Sequence, residues 1–166
     1  MTMTENSAAV QELLDRAAIE QVLIRYCNGL SAGDYDRVAS CFSKEGVFAG
    51  MKGREGVRES FANHYNRPLG EHSTLPVDML KSGTYYLGNV EIEVEGDTAK
   101  AFSHGRSRLL GVRGDETVLL VRGFTYTDDL IREDGEWVIK NRTHTFRWMY
   151  EETPLEDDRE GRRVQA

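Results

Sequence analysis

Three short turns divide the second half of the sequence into long segments of alternating character. The turns are Gly96-Asp97, Gly114-Asp115 and Asp134-Gly135, and each separates runs in which apolar and polar side chains alternate or β-branched residues are frequent. Glycine and aspartate tolerate the left-handed backbone that tight hairpins require, so this pattern predicts consecutive antiparallel hairpins. The four predicted strands cover roughly residues 85–94, 98–112, 117–132 and 136–149.

The length of these strands constrains the shape of the sheet. Several exceed the usual length of about five or six residues, so the sheet must curve strongly to stay compact. Gly105, Gly111 and Gly123 lie inside the strands, where bulges and bends favour glycine. Helices followed by such a meander predict an α+β domain, in which the sheet folds around the helices as a cone with a cavity at its wide end.

The first half of the sequence has helical periodicity. Between Ser7 and Leu30 the apolar residues recur at intervals of three and four positions, which predicts one long amphipathic helix. Its apolar stripe consists of Val10, Leu14, Ile19, Val22, Leu23, Tyr26 and Leu30. Short helices are predicted over residues 34–42 and 53–65, and the glycine-containing segment between them is predicted to be a loop with a brief extended part.

The composition predicts a soluble globular protein and disfavours several classes of partner. The chain has 166 residues and a net charge of -7, which argues against nucleic acid and against an anionic membrane surface. Cys27 and Cys41 lie in apolar helical patterns and are expected to be small core residues rather than a disulfide or a metal site. We find no metal or cofactor motif and no signal peptide, so we expect a cofactor-free cytoplasmic protein.

Four segments of the chain carry a family resemblance. They are AAIEQVLIRYCNGLSAGDYDRV near the start, GREGVRESF after it, EVEGDTAKA in a hairpin, and YTDDLIREDGEWVIKNR near the end. Through these segments the chain, up to about Met149, resembles the SnoaL-like group of the NTF2-like superfamily. The resemblance implies a cone-shaped α+β barrel around one pocket. It implies functions that range from cofactor-free dehydratases, dehydrochlorinases, isomerases and polyketide cyclases to non-catalytic subunits of dioxygenases.

The catalytic pair that the resembling dehydratases and dehydrochlorinases use is missing. The resemblance implies an aspartate at the end of the first helix and a histidine at the start of the first meander strand. At these positions this chain has Ser31 and Tyr85, and a second histidine of scytalone dehydratase corresponds to Leu109. A base for proton abstraction must therefore come from another residue that faces the pocket.

His144 is the predicted base. In the segment NRTHTFRW, strand alternation places His144 on one face with Phe146 and Trp148, and the resemblance implies that its position lines the pocket. A neutral imidazole accepts a proton near neutral pH. The alternative is a buried histidine that only bonds to a neighbouring strand or hydroxyl group, and the sequence leaves both interpretations open.

Tyr85 and Tyr126 are the predicted oxyanion-stabilising groups. A phenol can donate a hydrogen bond to a developing oxyanion, although each ring could instead be core packing. His104 is a second candidate base, which faces the pocket only if a bulge at Gly105 reverses its direction. The predicted substrate-binding residues are Ser31, Tyr26, Phe48, Phe124, Arg142, Phe146 and Trp148.

Two further features could shape the pocket. Arg142 would bind an acidic substrate if a strand bulge turns it inward, and it is a surface cation otherwise. The loop HYNRPLGEHSTLPVDML, which contains His64 and His72, is predicted to lie across the barrel mouth as a lid. Asp78, farther along this loop, is either a replacement for the missing carboxylate or a solvated loop acid.

Two functions follow from these observations. The first is a cofactor-independent lyase, dehydratase or isomerase that releases water or a small carbonyl fragment from a small hydroxylated aromatic or polycyclic compound. The second is a non-catalytic ligand-binding module or subunit, which the missing dyad favours. Residues 1–150 are predicted to form one domain, residues 151–166 a mobile charged tail, and the whole chain a homodimer or homotrimer.

Overall fold

The structure is a computed structural model that describes residues 3–70 and 73–152, with side chains from residue 6 onward. Within these residues the chain forms three helices and six strands. They are α1 (Met3–Ala32), α2 (Tyr35–Ser40), β1 (Phe42–Phe48), β2 (Met51–Lys52), α3 (Gly53–Ala62), β3 (Met79–Glu95), β4 (Thr98–Arg113), β5 (Glu116–Glu133) and β6 (Glu136–Glu152). None of the three described helices combines the length and apolar character that a membrane crossing requires.

All six described strands belong to one curved, unclosed sheet with the order β2-β1-β6-β5-β4-β3. The three predicted turns connect β3 to β6 as antiparallel hairpins, and Gly96, Gly114, Asp134 and Gly135 have positive φ there. The helices pack on one side of the sheet, where α1 contacts β3 and β6. We call this side the inner face and the opposite side the outer face. The predicted α+β class and the four-stranded meander are confirmed.

Residues Phe42–Phe48 form a strand, so the prediction of a mainly looped segment there was wrong. In this strand Phe42 lies opposite Ile139 and Val47 opposite Asn141, in a parallel pairing with β6. Local periodicity does not reveal such a strand, because its partner lies far later in the chain and its side chains do not alternate.

The long helix α1 is confirmed, but its apolar stripe is buried only in part. The five stripe residues that follow Asp15 are at most 2% exposed, whereas Val10 and Leu14 are 55% and 59% exposed, contrary to the prediction. Asp15 itself is buried and accepts a hydrogen bond from Trp137 Nε1 at the β5–β6 hairpin. The turns of α1 before Asp15 therefore extend past the core.

The two short helices are shorter than predicted. In and just after α2, Val38, Cys41 and Phe42 are fully buried. Cys27 and Cys41 are both buried free thiols, as expected. The helix α3 ends at Ala62, so Tyr65 reaches the interior from the loop that follows.

Two bulges in β6 decide which of its side chains face inward. Lys140 is an extra residue between Ile139 and Asn141, which lie opposite adjacent residues of β5. Directly opposite residues share a sheet face, so this bulge brings both Ile139 and Arg142 to the inner face. The strand bulge that would turn Arg142 inward is thus present.

The second bulge, at Arg147, reverses the direction of Trp148. Phe146 and Trp148 lie opposite adjacent residues of β5, which point to opposite faces. Phe146 therefore lies on the inner face and Trp148 on the outer face, where its ring stacks on Tyr150 with centroids 5.8 Å apart. The prediction that Trp148 shares a face with His144 is wrong.

The strand β4 turns its small residues inward and His104 outward. Ala99, Ala101 and Ser103 are at most 5% exposed, whereas His104 is exposed on the outer face. The pairing of β4 with β5 continues through Gly105 without a bulge. His104 therefore lies on the opposite side of the sheet from the predicted pocket.

Gly105 leaves the space that the Phe124 ring occupies. A Cβ atom at Gly105 would lie 2.0 Å from Phe124 Cε2, whereas a Cβ at Gly88, in the neighbouring strand, would meet nothing within 4 Å. We therefore expect Gly105→Ala to displace Phe124 and to lower the free energy of unfolding by about 1–3 kcal/mol in urea denaturation. Gly88→Ala is the matched control, and an equal loss in both variants would contradict the steric explanation.

Candidate active site

A cleft of about 690 Å³ opens on the inner face between the β5–β6 part of the sheet and the loop after α3. It is lined by His64, Ser73, Thr74, Leu75, Arg122, His144, Phe146 and Met149. Its volume lies within the range of small-molecule sites, about 300–1,000 Å³. The loop that was predicted to cover the barrel mouth contributes to this cleft through its described residues, while His72 lies outside them.

His144 lies on the inner face, directly opposite Tyr126 of β5. Its ring centroid is 5.0 Å from that of Phe124 and 5.6 Å from that of Tyr126. We find no hydrogen bond to this imidazole from residues 3–70 or 73–152, so the structure supplies no partner of the kind that a purely structural histidine would have. The ring is part of the cleft wall.

The surroundings of His144 keep its imidazole neutral. Burial lowers its pKa to about 4, and the positive charges of Arg122 and Arg142 act in the same direction. Burial, and then the charge of Arg122, also lowers the pKa of His64. At neutral pH both imidazoles can therefore accept a proton.

Arg122 is a cleft residue that the sequence analysis missed. It lies on the inner face of β5, opposite Ser107 of β4 and Met149 of β6. Among the described residues, no carboxylate lies within salt-bridge distance of its guanidinium, and its buried Nε has no hydrogen-bond acceptor. Strand alternation could have revealed it, because Arg122 is two residues before Phe124 in an otherwise apolar stretch.

Tyr85 and Ser31, at the positions where the family resemblance predicted a catalytic dyad, have structural roles. The Tyr85 hydroxyl lies 2.8 Å from the Tyr65 hydroxyl, and burial raises the pKa of Tyr85. The backbone N–H of Tyr85 donates to Ser31 Oγ at 2.9 Å, and Ser31 Oγ in turn donates to the carbonyl oxygen of Cys27. This chain of hydrogen bonds ties the end of α1 to β3.

The other predicted aromatic residues form the core beneath the cleft. Tyr26, Phe124 and Tyr126 are at most 2% exposed, and Phe48 stacks on Phe61 with centroids 5.7 Å apart. Burial raises the pKa of Tyr126 well above its ordinary value. The phenol of Tyr126 is therefore placed under His144 rather than in the cleft wall.

Arg142 faces inward, but a buried carboxylate already occupies its guanidinium. Its Nε and Nη2 donate to the two carboxylate oxygens of Asp128 at 2.7 and 2.8 Å, and both side chains are fully buried. The rings of Tyr26 and Tyr126 each lie 4.1 Å from the guanidinium carbon. Burial alone would lower the pKa of Arg142, but the charge and hydrogen bonds of Asp128 raise it. This arrangement leaves no place for an acidic substrate at Arg142.

Three predicted residues lie away from the cleft. His104 and Trp148 are on the outer face. Asp78 is exposed, and its carboxylate accepts a hydrogen bond from the backbone N–H of Gly114 at 2.7 Å, which braces the β4–β5 turn. The cleft therefore combines His144 and Phe146, which were predicted, with Arg122 and His64.

Comparison with known proteins gives a consistent family and fold. The sequence model of the SnoaL-like domain matches residues 11–143. An uncharacterized protein of Mycobacterium tuberculosis is 26% identical over 144 residues, which cover 82% of this chain and 88% of that protein.

Two solved structures illustrate the shared fold. A candidate scytalone dehydratase of Novosphingobium aromaticivorans is 16% identical, covers 86% of this chain and 90% of its own, and has a TM-score of 0.66. A hexachlorocyclohexane dehydrochlorinase, LinA-type3, of Novosphingobium barchaimii is 18% identical and has a TM-score of 0.69. The match covers 89% of this chain and 96% of the dehydrochlorinase chain. At these identities the likeness establishes the fold alone.

The Arg142–Asp128 pair should be essential for stability. Asp128→Ala leaves a buried guanidinium without a counter-charge, so we expect the free energy of unfolding to fall by about 3–5 kcal/mol in urea denaturation. Replacing both partners by apolar residues, as in Asp128→Leu/Arg142→Met, should restore much of this loss. Glu151→Ala, which breaks the exposed pair with Arg113, is the control and should change little. A small effect of Asp128→Ala would contradict the burial of the pair.

An NMR titration of the imidazoles should find His144 with a pKa of about 4, because burial and nearby guanidinium groups disfavour its charged form. Arg122→Met should raise this pKa in part, whereas Arg106→Met on the outer face should not.

Since the folded-state pKa lies below the ordinary value of 6.5, the unfolded state binds the proton more readily. Stability should therefore fall as the pH decreases from 6.5 to about 4, and less steeply in His144→Gln. A measured pKa near 6.5 for His144 would contradict its burial next to guanidinium groups.

Proposed function

This chain belongs to the SnoaL-like domain family, and on that premise we propose that it is a cofactor-independent lyase or isomerase acting by acid–base chemistry. Its substrate is a small hydroxylated aromatic or polycyclic compound. The observation that carries the proposal is the position of His144, a neutral imidazole in the wall of a partly apolar cleft. A base in such a site is available at neutral pH without prior deprotonation.

The apolar part of the cleft supports an aromatic or polycyclic substrate. Phe146, which is 52% exposed, lies beside Met149 and Leu75 in the cleft wall. A planar ring that stacks against Phe146 would bury apolar surface of both partners. The names of the two fold relatives, a dehydratase and a dehydrochlorinase, are compatible with elimination chemistry on cyclic compounds.

In the proposed elimination His144 takes a proton from the carbon next to a carbonyl group. The electron pair of that C–H bond forms a double bond as the C–O bond on the neighbouring carbon breaks, and the imidazolium returns the proton to the departing hydroxide, which leaves as water. The negative charge that develops on the carbonyl oxygen lies near the positive charge of Arg122. In retro-aldol cleavage His144 takes the hydroxyl proton, and the C–C bond next to the hydroxyl-bearing carbon breaks as that carbon leaves in a small carbonyl fragment. The electron pair of the broken bond forms an enolate near Arg122, which recovers the proton from the imidazolium.

Arg122 replaces the phenols as the proposed oxyanion-stabilising group. The hydroxyl of Tyr85 is paired with Tyr65, and Tyr126 lies beneath the cleft. Arg122, by contrast, is in the cleft wall together with His144. A guanidinium there does not need to reorganise when negative charge develops on the substrate oxygen. Such preorganisation is the main requirement for electrostatic stabilisation of a transition state.

A non-catalytic binding module is the second candidate. Ser31 and Tyr85 occupy the dyad positions and are engaged in hydrogen bonds that hold α1 to β3, so no acid–imidazole pair is rebuilt at that point. A binding module would retain the cleft and bind the same class of compound without converting it.

A thermal-shift panel of hydroxylated aromatic compounds, followed by mass spectrometry of the products, tests the proposal. For a compound that is converted, His144→Gln should lower kcat by about 10²- to 10⁴-fold, because the base is lost. The control, His104→Gln, alters an imidazole on the outer face and should leave kcat unchanged. The value of kcat/KM should rise as the pH increases through about 4 and stay level to neutral pH.

Two results would count against the enzyme. Turnover by His144→Gln within a few-fold of the parent would show that His144 is not the base. Stabilisation by many compounds with no product from any of them would favour the binding module.

A further inference from the structure

The guanidinium of Arg122 has no acidic partner among the described residues, in contrast to three other inward or partly buried arginines. Arg142 is paired with Asp128, Arg132 with Asp15, and Arg54 with Glu133. These arginines illustrate the usual rule that a charge removed from water is matched by an opposite charge. Beside Arg122, the space that a paired carboxylate would take is part of the cleft.

A second polar group without a described partner lies directly beside Arg122. Ser107 is opposite Arg122 in the β4–β5 pairing, on the same inner face, and is fully buried. Neither Ser107 Oγ nor Arg122 Nε forms a hydrogen bond with any atom in the described part of the chain. An acceptor group that enters the cleft at Arg122 can accept hydrogen bonds from its guanidinium, and the strand pairing places Ser107 next to that position.

The charge around this position favours an anion as that acceptor. The two imidazoles of the cleft, His64 and His144, have lowered pKa values and are neutral at neutral pH, and neither carries a negative charge in any state. The other described lining residues are uncharged, so Arg122 provides the formal charge of the described cleft wall. A carboxylate fits this environment, because its two oxygens can accept hydrogen bonds from a guanidinium in a planar, bidentate arrangement.

We propose that Arg122 anchors a carboxylate on the ligand, so that the cleft selects aromatic carboxylic acids over their neutral analogues. The acid binds the guanidinium, and the ring lies against Phe146 and Met149. This proposal rests on the proposed function only in placing the ligand in the same cleft. It defines the class of substrate more closely, as a hydroxylated aromatic compound that also carries an acidic group. A bidentate carboxylate uses two of the five N–H donors of the guanidinium, so the other donors remain for the oxyanion that develops during the reaction.

Calorimetric titration of the wild-type protein with naphthoate and with naphthamide tests the selection directly. The two compounds have the same ring and differ in charge. A charge-assisted hydrogen bond of about 1.5–3 kcal/mol corresponds to about ten- to a hundredfold tighter binding of the acid. Naphthoate should also raise the pKa of His144 in an NMR titration, because a nearby anion stabilises the imidazolium.

Arg122→Met should abolish the preference for the acid, and Arg122→Lys should keep part of it. Arg106→Met is the matched control, because Arg106 lies on the outer face, where it donates to the hydroxyl of Tyr150, and this variant should bind like the wild type. The wild-type comparison of acid with amide needs no variant, so the test stands even if Arg122→Met does not fold.

Equal affinity of the wild type for naphthoate and naphthamide would overturn the proposal, as would a preference that survives in Arg122→Met. A lack of measurable binding of both compounds at millimolar concentration would also count against it. These results can be distinguished from a failure of the proposed enzymatic function. If binding of the acid depends on Arg122 but no compound is converted, the carboxylate anchor is supported and the enzymatic function is refuted. If turnover depends on His144 but the acid is not preferred, the enzymatic function is supported and the anchor is refuted.

Discussion

The buried ion pair between Arg142 and Asp128 connects the two central strands of the sheet with the long helix. Its guanidinium is held by two hydrogen bonds to the carboxylate and lies between the rings of Tyr26 from α1 and Tyr126 from β5. A charge without access to water is tolerated only when its partner and its surroundings are fixed. These four side chains therefore hold α1 at one position on β5 and β6. His144 packs against this layer, with its ring centroid 5.6 Å from that of Tyr126, and forms part of the cleft wall.

Because side chains fill the core, the candidate catalytic residues lie in a cleft at the edge of the core rather than at its centre. Ser31 and Tyr85 lie where the family resemblance predicted a dyad, and their polar atoms join α1, β3 and the loop after α3. With that part of the interior committed to structural hydrogen bonds, the ionisable side chains among the described residues of the cleft wall are His144 and Arg122 from the sheet and His64 from the loop. A base and a cation remain close together there, although neither stands at a dyad position.

Part of this site could be predicted from the sequence, and the physical reason differs from residue to residue. Strand alternation predicted that His144 and Phe146 share a face, because that periodicity is a local property of the backbone, and the family resemblance implied that this face lines the pocket. The same rule failed for Trp148, because an extra residue at Arg147 reverses the alternation and leaves no clear sequence signal. Arg122 follows the alternation as well, but an isolated arginine in a strand is more often a surface cation than an inward-facing residue.

Turn residues and side-chain periodicity act over a few neighbouring positions, so they were sufficient to predict the α+β class, the long first helix and the four hairpin strands. The folded chain is needed to establish the parallel pairing of β1 with β6, the direction of side chains beyond each bulge, and the partner of each buried charge. These features depend on contacts between residues far apart in the chain. Arg142 and Arg122 show the consequence: both face inward, but only the folded chain gives Asp128 to the first and leaves the second facing the cleft.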